Sequence, residues 1–184
     1  MLITISGTPG SGKTTVARLL SEQLGLPHVY AGDLYRREAE RRGLSLEEFN
    51  RLSEQDHSID RELDRQVVES LRRGNAIVEG RLAAFFARAE GIEAFKVYLT
   101  ASEKVRAERV RRREGGDALA QLRANEERQR SDARRYRAIY GFDLQDTSLY
   151  DLVLCTDDTP PEEVADWIAR VARVRFATTV SHRA

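Results

Sequence analysis

"GTPGSGKT", residues 7–14, decides the reading of this chain. It matches G-x-x-x-x-G-K-[ST], in which glycines let the backbone close around phosphates and turn its N–H groups inward. The context agrees with the match. The apolar run "LITIS" at 2–6 reads as a strand, and an amphipathic helix is expected from about Lys13 to Leu24, stopping at Gly25. A phosphate seated at that helix start meets positive partial charge. Residues 7–15 (Gly7, Thr8, Pro9, Gly10, Ser11, Gly12, Lys13, Thr14, Thr15) are the expected cradle, with Lys13 reaching β- and γ-phosphates and the Thr14 hydroxyl available to Mg²⁺.

Further strands are expected at 28–32 ("HVYAG"), 76–80 ("AIVEG"), 95–100 ("FKVYLT") and 151–156 ("DLVLCT"). Most are continuous apolar runs, which suits a parallel sheet covered on both faces, and helical patterns between them give an α/β doubly wound order. Segment 33–73 is nearly all helical and highly charged; within it Ser45 and Glu48 have capping-box spacing. Later helices are expected from about Ser102 to the "EGG" at 114–116, from about Asp117 to Tyr140, and from Pro161 onward, with residues 173–184 fraying.

The chain has 184 residues, 30 basic and 30 acidic side chains, and no net charge, so no global field attracts nucleic acid or anionic membrane. No apolar run approaches the roughly 20 residues that span a bilayer. No signal-peptide pattern opens the sequence, and a cytoplasmic location is expected. The single cysteine, Cys155, rules out an internal disulfide framework and reads as a buried, inert thiol; the single tryptophan, Trp167, reads as packing in or near the core. The three histidines, His28, His57 and His182, show no metal-ligand spacing and are given no catalytic role.

Basic character is concentrated locally. Residues 128–137 hold Arg128, Arg130, Arg134, Arg135 and Arg137. Arg128, Asp132 and Arg135 share one helix face, as do Arg109 and Arg113. Arg36 follows the second strand and Arg81 the third, both at the carboxyl edge of the sheet with the phosphate loop, where open α/β sheets bind ligands. Asp33 and Glu79 should converge there too. Arg130, Arg134 and Arg137, like Arg111 and Arg112, read as solvated or paired charges.

"SGTPGSGKTT", "AGDLYR", "VEGRLA", "RAERVRRRE" and "ERQRSDARRYRAIYGFD", with "SLYDLVLCT", together resemble the cytidylate kinase family in its shorter archaeal-type branch, over roughly residues 1 to 170. The resemblance implies a P-loop NTPase fold: a five-stranded parallel sheet flanked by helices in one kinase domain. Its core would be 1–32, 74–105 and 116–172, with a helical monophosphate-binding insert at 33–73 and a small lid at 106–115. It implies transfer of the ATP γ-phosphoryl group to CMP or dCMP, with ATP and Mg²⁺ as cofactors and small nucleotides as partners. No motif reports oligomeric state, and a monomer is the expectation. Carried over to this chain, Arg36 and Arg81 would hold the acceptor phosphate, Arg109 and Arg113 the transferring group, Arg128 and Arg135 phosphates, and Asp132 the acceptor ribose. Lys13, Arg109, Arg113 and Asp33 are the expected catalytic set; Thr14 with Asp33 or Glu79 would hold Mg²⁺.

One departure bears on base choice. Bacterial-type relatives carry an aspartate directly after D-G-R that helps read cytosine, whereas this chain has Glu79-Gly80-Arg81-Leu82. Arg61, Asp60 and Asp64 are the candidate readers in its place. Gly32, Gly74, Gly115 and Gly116 are hinge candidates. Two other readings stay open: a kinase of the same fold acting on AMP, UMP or a metabolite such as shikimate, and a non-catalytic nucleotide-binding switch. The chain lacks the N-K-x-D and D-x-x-G segments of a GTPase switch.

Overall fold

The computed structural model describes residues 1–114 and 117–181; some side chains within those spans, Arg113 and Arg128 among them, lie outside the description. The chain runs β1 (Leu2–Gly7), α1 (Lys13–Leu24), β2 (His28–Tyr30), α2 (Ala31–Arg41), α3 (Leu46–Gln55), α4 (His57–Arg73), β3 (Ala76–Glu79), α5 (Ala83–Ala89), β4 (Phe95–Thr100), α6 (Glu103–Glu114), α7 (Ala118–Tyr140), β5 (Leu152–Cys155) and α8 (Pro161–Ser181). The strands form one parallel sheet in the order β2-β3-β1-β4-β5.

Period-two alternation in β1 supplies both faces of that sheet. Ile3 and Ile5 join Val16, Leu20, Val164 and Ile168 under α1 and α8. Leu2 points the other way, into a cluster with Leu71, Val78, Phe85 and Phe86. Each aliphatic side chain buried in this way contributes about 1.5–3 kcal/mol of transfer free energy. The segment α2–α4 has a small core of its own, built on Ala39, Phe49, Ile59 and Leu63. Its middle helix starts with the expected capping box, since Ser45 accepts from the Glu48 N–H and Glu48 accepts from the Ser45 N–H.

The phosphate loop joins β1 to α1 and rests against the end of β4. A Cβ built on Gly7, whose φ is +148°, would lie 1.9 Å from the Leu99 carbonyl oxygen, so only glycine lets the two strands meet there. Gly12, at φ +88°, turns the chain left-handed just before Lys13 and serves as the N-cap of α1.

Four expectations change. Cys155 is exposed, as is Val153, because β5 is an edge strand whose Leu152 and Leu154 reach the core while alternate residues face solvent. Trp167 is 44% exposed: α8 buries Val164, Ala165, Ile168, Ala169 and Ala172, and this side chain falls on the opposite face with Val171. The helix also continues to Ser181 through the stretch expected to fray, with Phe176 packed against the core. Gly32 lies inside α2, its Cα against the Tyr30 ring, so it is a close-packing position in this fold; Gly74 caps α4, and Gly115 and Gly116 lie outside the described residues.

Candidate active site

The carboxyl ends of β1, β2 and β3 open into one cavity of about 450 Å³. Gly10, Gly12, Lys13, Thr14 and Thr15 line it from the loop, Arg36 from α2, and Glu79 and Arg81 from the end of β3. Parallel register explains the meeting. Ile5 and Tyr30 both pair with Glu79, so β2 and β3 end level beside β1, which runs on to Gly7, and the residues that follow the three strands are delivered to one edge.

At the floor lies Glu79, 1% exposed. Its Oε1 accepts a 2.7 Å hydrogen bond from the Thr14 hydroxyl, and its Oε2 lies 3.0 Å from His28 Nε2. His28 therefore belongs to this site, which reading the histidines for metal spacing did not show. Its signal is register: His28 and Tyr30 share a face of β2, their rings stacked 6.1 Å apart. The Thr14–Glu79 bond also tests the fit of a metal. The hydroxyl proton is committed to the carboxylate, which leaves the oxygen lone pairs as ligands. Among the described residues no group of three or more His, Cys, Asp or Glu side chains could hold an ion alone. Mg²⁺ suits such a place, because it keeps its waters and takes most other ligands from substrate phosphates.

Lys13 Nζ donates to the Thr8 carbonyl at 2.7 Å, folded back along its own loop. Thr8 Oγ1 and Ser11 Oγ are buried in the loop without a hydrogen-bond partner among the described residues, the pattern of a cradle whose partners arrive with a ligand. Arg36 donates to the Tyr30 hydroxyl at 2.9 Å and lies over that ring. Arg81 forms an ion pair with Asp132, which also lines the cavity from α7.

Behind that pair the charges continue. Arg135 is 5% exposed; its Nη2 donates to Asp132 Oδ1 at 2.8 Å and its Nε to Asp60 Oδ2 at 2.9 Å. The order Arg81–Asp132–Arg135–Asp60 alternates in sign, so each desolvated charge has an opposite neighbour. Burial pushes the Asp60 carboxyl upward against the pull of Arg135. Arg135 thus supports Asp132 from outside the cavity lining. Burial also raises Asp64, one turn along α4, to about 7; the Asp60 charge adds to the rise, while the Tyr140 hydroxyl and Arg135 oppose it.

Other expected residues lie elsewhere. Asp33 is not in the cavity lining; it forms a 2.7 Å ion pair with Arg37, because i,i+4 spacing on α2 directs its carboxylate along the outer helix face. Arg109 reaches the far side of the loop, donating to the Thr156 hydroxyl at 2.8 Å and to the Thr156 carbonyl, while that hydroxyl lies 3.0 Å from the Ser11 carbonyl. Arg106 joins the same loop to α7 through the Pro9 carbonyl and Glu126. Arg61 is exposed and does not line the cavity, although Asp60 and Asp64 on either side of it in sequence do. The side chains of Arg113 and Arg128 lie outside the described residues. Tyr35, Asn50 and Tyr136 line the cavity without having been singled out; Tyr136 lies four residues after Asp132, a spacing that could have found it.

Residues 2–158 match the model of the cytidylate kinase-like family. The chain belongs to that family. It is 48% identical over 170 residues to a cytidylate kinase of Methanopyrus kandleri, covering 89% of this chain and 88% of the relative. It is 42% identical over 164 residues to one of Pyrococcus horikoshii, covering 89% and 84%. A gluconokinase structure from Sinorhizobium meliloti superposes with a TM-score of 0.63 over 100% of this chain and 97% of that one, at 18% identity, a likeness of fold. The molecule is a phosphotransferase of the P-loop kinase fold. No helix among the described residues is long and apolar enough to cross a membrane.

Proposed function

We propose that this cytidylate kinase-like protein transfers the γ-phosphoryl group of ATP to CMP or dCMP, yielding ADP and CDP or dCDP. The observation that carries the reading is the shared cavity: the phosphate loop and the two arginines Arg36 and Arg81 line the same space, so two phosphate-bearing molecules can meet end to end. The names of the relatives at 48% and 42% identity support the acceptor.

An oxygen of the acceptor phosphate attacks the γ-phosphorus, and the bond to the β,γ-bridging oxygen breaks with its electron pair leaving on ADP. The attacking oxygen is mostly ionised at neutral pH, since the second phosphate pKa is about 6, so no strong general base is needed. Catalysis reduces to positioning and charge neutralisation. Thr14, backed by Glu79, would hold Mg²⁺, which when bound neutralises donor phosphate charge. Lys13 leaves the Thr8 carbonyl for the β- and γ-oxygens. Arg36 and Arg81 take the acceptor phosphate, and Arg109 with Arg113 approach the moving group. Arg128 is assigned to phosphate from the sequence alone, and Asp132, held by Arg135, accepts from the acceptor ribose.

Water competes as nucleophile, so segments 33–73 and 106–115 close before transfer. One chain carries both phosphate sites, and the acting unit is read as a monomer in the cytoplasm. A coupled assay with ATP, Mg²⁺ and CMP, dCMP, UMP, AMP and shikimate tests the proposal. ADP release that depends on CMP or dCMP is expected. Turnover with another acceptor alone would replace the substrate, and ATP binding without acceptor-dependent turnover would remove the catalytic reading.

A further inference from the structure

The cavity has two chemically different ends. One is the phosphate loop with Arg36 and Arg81. The other is walled by the insert, where Leu46, Leu63 and Val67 offer apolar surface to a flat ring and a few polar groups stand among them. Those polar groups differ in what they have left to give. Both oxygens of Asp60 face Arg135, at 2.9 and 3.4 Å. Asn50 Oδ1 accepts from the Tyr35 hydroxyl at 2.7 Å. Asp64 Oδ2 accepts from the Tyr140 hydroxyl at 2.9 Å, whereas its Oδ1 has no hydrogen bond among the described residues. Arg61, between the two aspartates in sequence, is exposed and outside the lining.

Resting on the acceptor proposed above, we infer that Asp64 reads the base: its Oδ1 accepts a hydrogen bond from the exocyclic amino group of cytosine. Tyr140 is the positioning residue, because its hydroxyl occupies Oδ2 and thereby sets which oxygen faces the cavity. Cytosine offers an N–H donor at that edge; uracil offers a carbonyl oxygen, and two acceptors would then face each other in a desolvated pocket. A site built to pair with a donor rejects the isostere that lacks it far more strongly than apolar packing does. The place of Asp64 also accounts for the Leu82 departure: the donor-reading carboxylate comes from α4 instead of from the position after Arg81.

The test compares kcat/KM for CMP, UMP and the 5′-monophosphate of 2-pyrimidinone riboside, which is CMP without its amino group. Assayed at pH 8, above the Asp64 value of about 7, so that the carboxyl is an acceptor only, the unaltered protein is expected to prefer CMP over both by about 10²-fold or more, the loss expected when a buried charged partner goes unpaired. A ratio near one for CMP over the 2-pyrimidinone nucleotide would overturn the inference with no variant needed. In Asp64→Asn, whose amide can donate to uracil O4, the CMP preference over UMP should collapse and UMP turnover should rise. In Asp64→Ala, CMP and its deamino analogue should become equivalent. Selectivity unchanged in either folded variant would overturn the assignment. Tyr140→Phe keeps the carboxylate and should lower selectivity less than Asp64→Ala. CMP turnover with Asp64-independent selectivity would remove this inference alone; absence of any CMP turnover would remove the acceptor reading beneath it.

Discussion

The hydroxyl of Thr14 donates a 2.7 Å hydrogen bond to Oε1 of the buried Glu79. This bond orients the Thr14 lone pairs toward the cavity, and His28 holds the other carboxylate oxygen at 3.0 Å. Glu79→Gln keeps the shape and removes the charge. Loss of such an outer partner weakens metal affinity or activity by about 10–100-fold. The Mg²⁺ concentration for half-maximal rate should therefore rise with ATP affinity little changed, as measured by rates across a Mg²⁺ series and by nucleotide titration. An unaltered Mg²⁺ profile would count against the role.

Arg81 forms an ion pair with Asp132 in the cavity, at the place proposed for the acceptor phosphate. Arg81→Ala should raise the acceptor KM by about 10–100-fold, the range for a lost charge-assisted hydrogen bond, and leave the KM for ATP near its original value. Initial-rate kinetics with each substrate varied in turn separate the two.

Arg113→Ala should lower kcat much more than it weakens ATP binding, because a cation that follows the moving phosphoryl group acts in the transition state. Equal losses in kcat and in ATP affinity would contradict this.

Stability should depend on pH through Asp64. Its carboxyl is raised to about 7 in the folded chain, chiefly by burial, with Asp60 on the same helix adding to the rise and Arg135 and Tyr140 of α7 opposing it. Between pH ~4, the unfolded value, and about 7, the folded state therefore binds more protons than the unfolded state, and this group's contribution to stability falls as pH rises. Asp64→Asn should flatten that slope and raise the Tm at pH 8 while damaging base selectivity. Melting curves of the ligand-free protein across pH 4.5–8 would show it.

Gly7→Ala places a methyl group 1.9 Å from the Leu99 carbonyl oxygen at φ +148°. A strained backbone position alone costs on the order of 1–3 kcal/mol, and the clash adds to it. Denaturant unfolding should show a loss at or above that range, with ATP binding impaired in whatever remains folded.

Local signals were legible in the sequence, and long-range ones were not. The loop at 7–14, the α1 span ending before Gly25, and the Ser45 capping box all follow from residues within a few positions of one another. That Arg36 and Arg81 line one cavity follows from strand ends reaching a common edge. Asp33, by contrast, finds Arg37 on its own helix before anything in the cavity. Arg135 is expected from the sequence at a phosphate, yet the approach of α4 to α7 buries it between Asp60 and Asp132. The Asp64–Tyr140 contact joins residues 76 positions apart, and no periodicity reports that distance. Strand β5 reads as apolar throughout, but its place at the sheet edge, which no local pattern encodes, leaves alternate side chains outside.

That edge has an experimental consequence. Cys155, the sole thiol, is exposed on β5, and the next residue, Thr156, is where Arg109 of α6 docks. A polarity-sensitive fluorophore attached to the sulfur would sit beside the latch that α6 must release if it swings toward a nucleotide. The native sequence thus carries its own labelling handle, and stopped-flow emission could time that movement against turnover without engineering a single new residue.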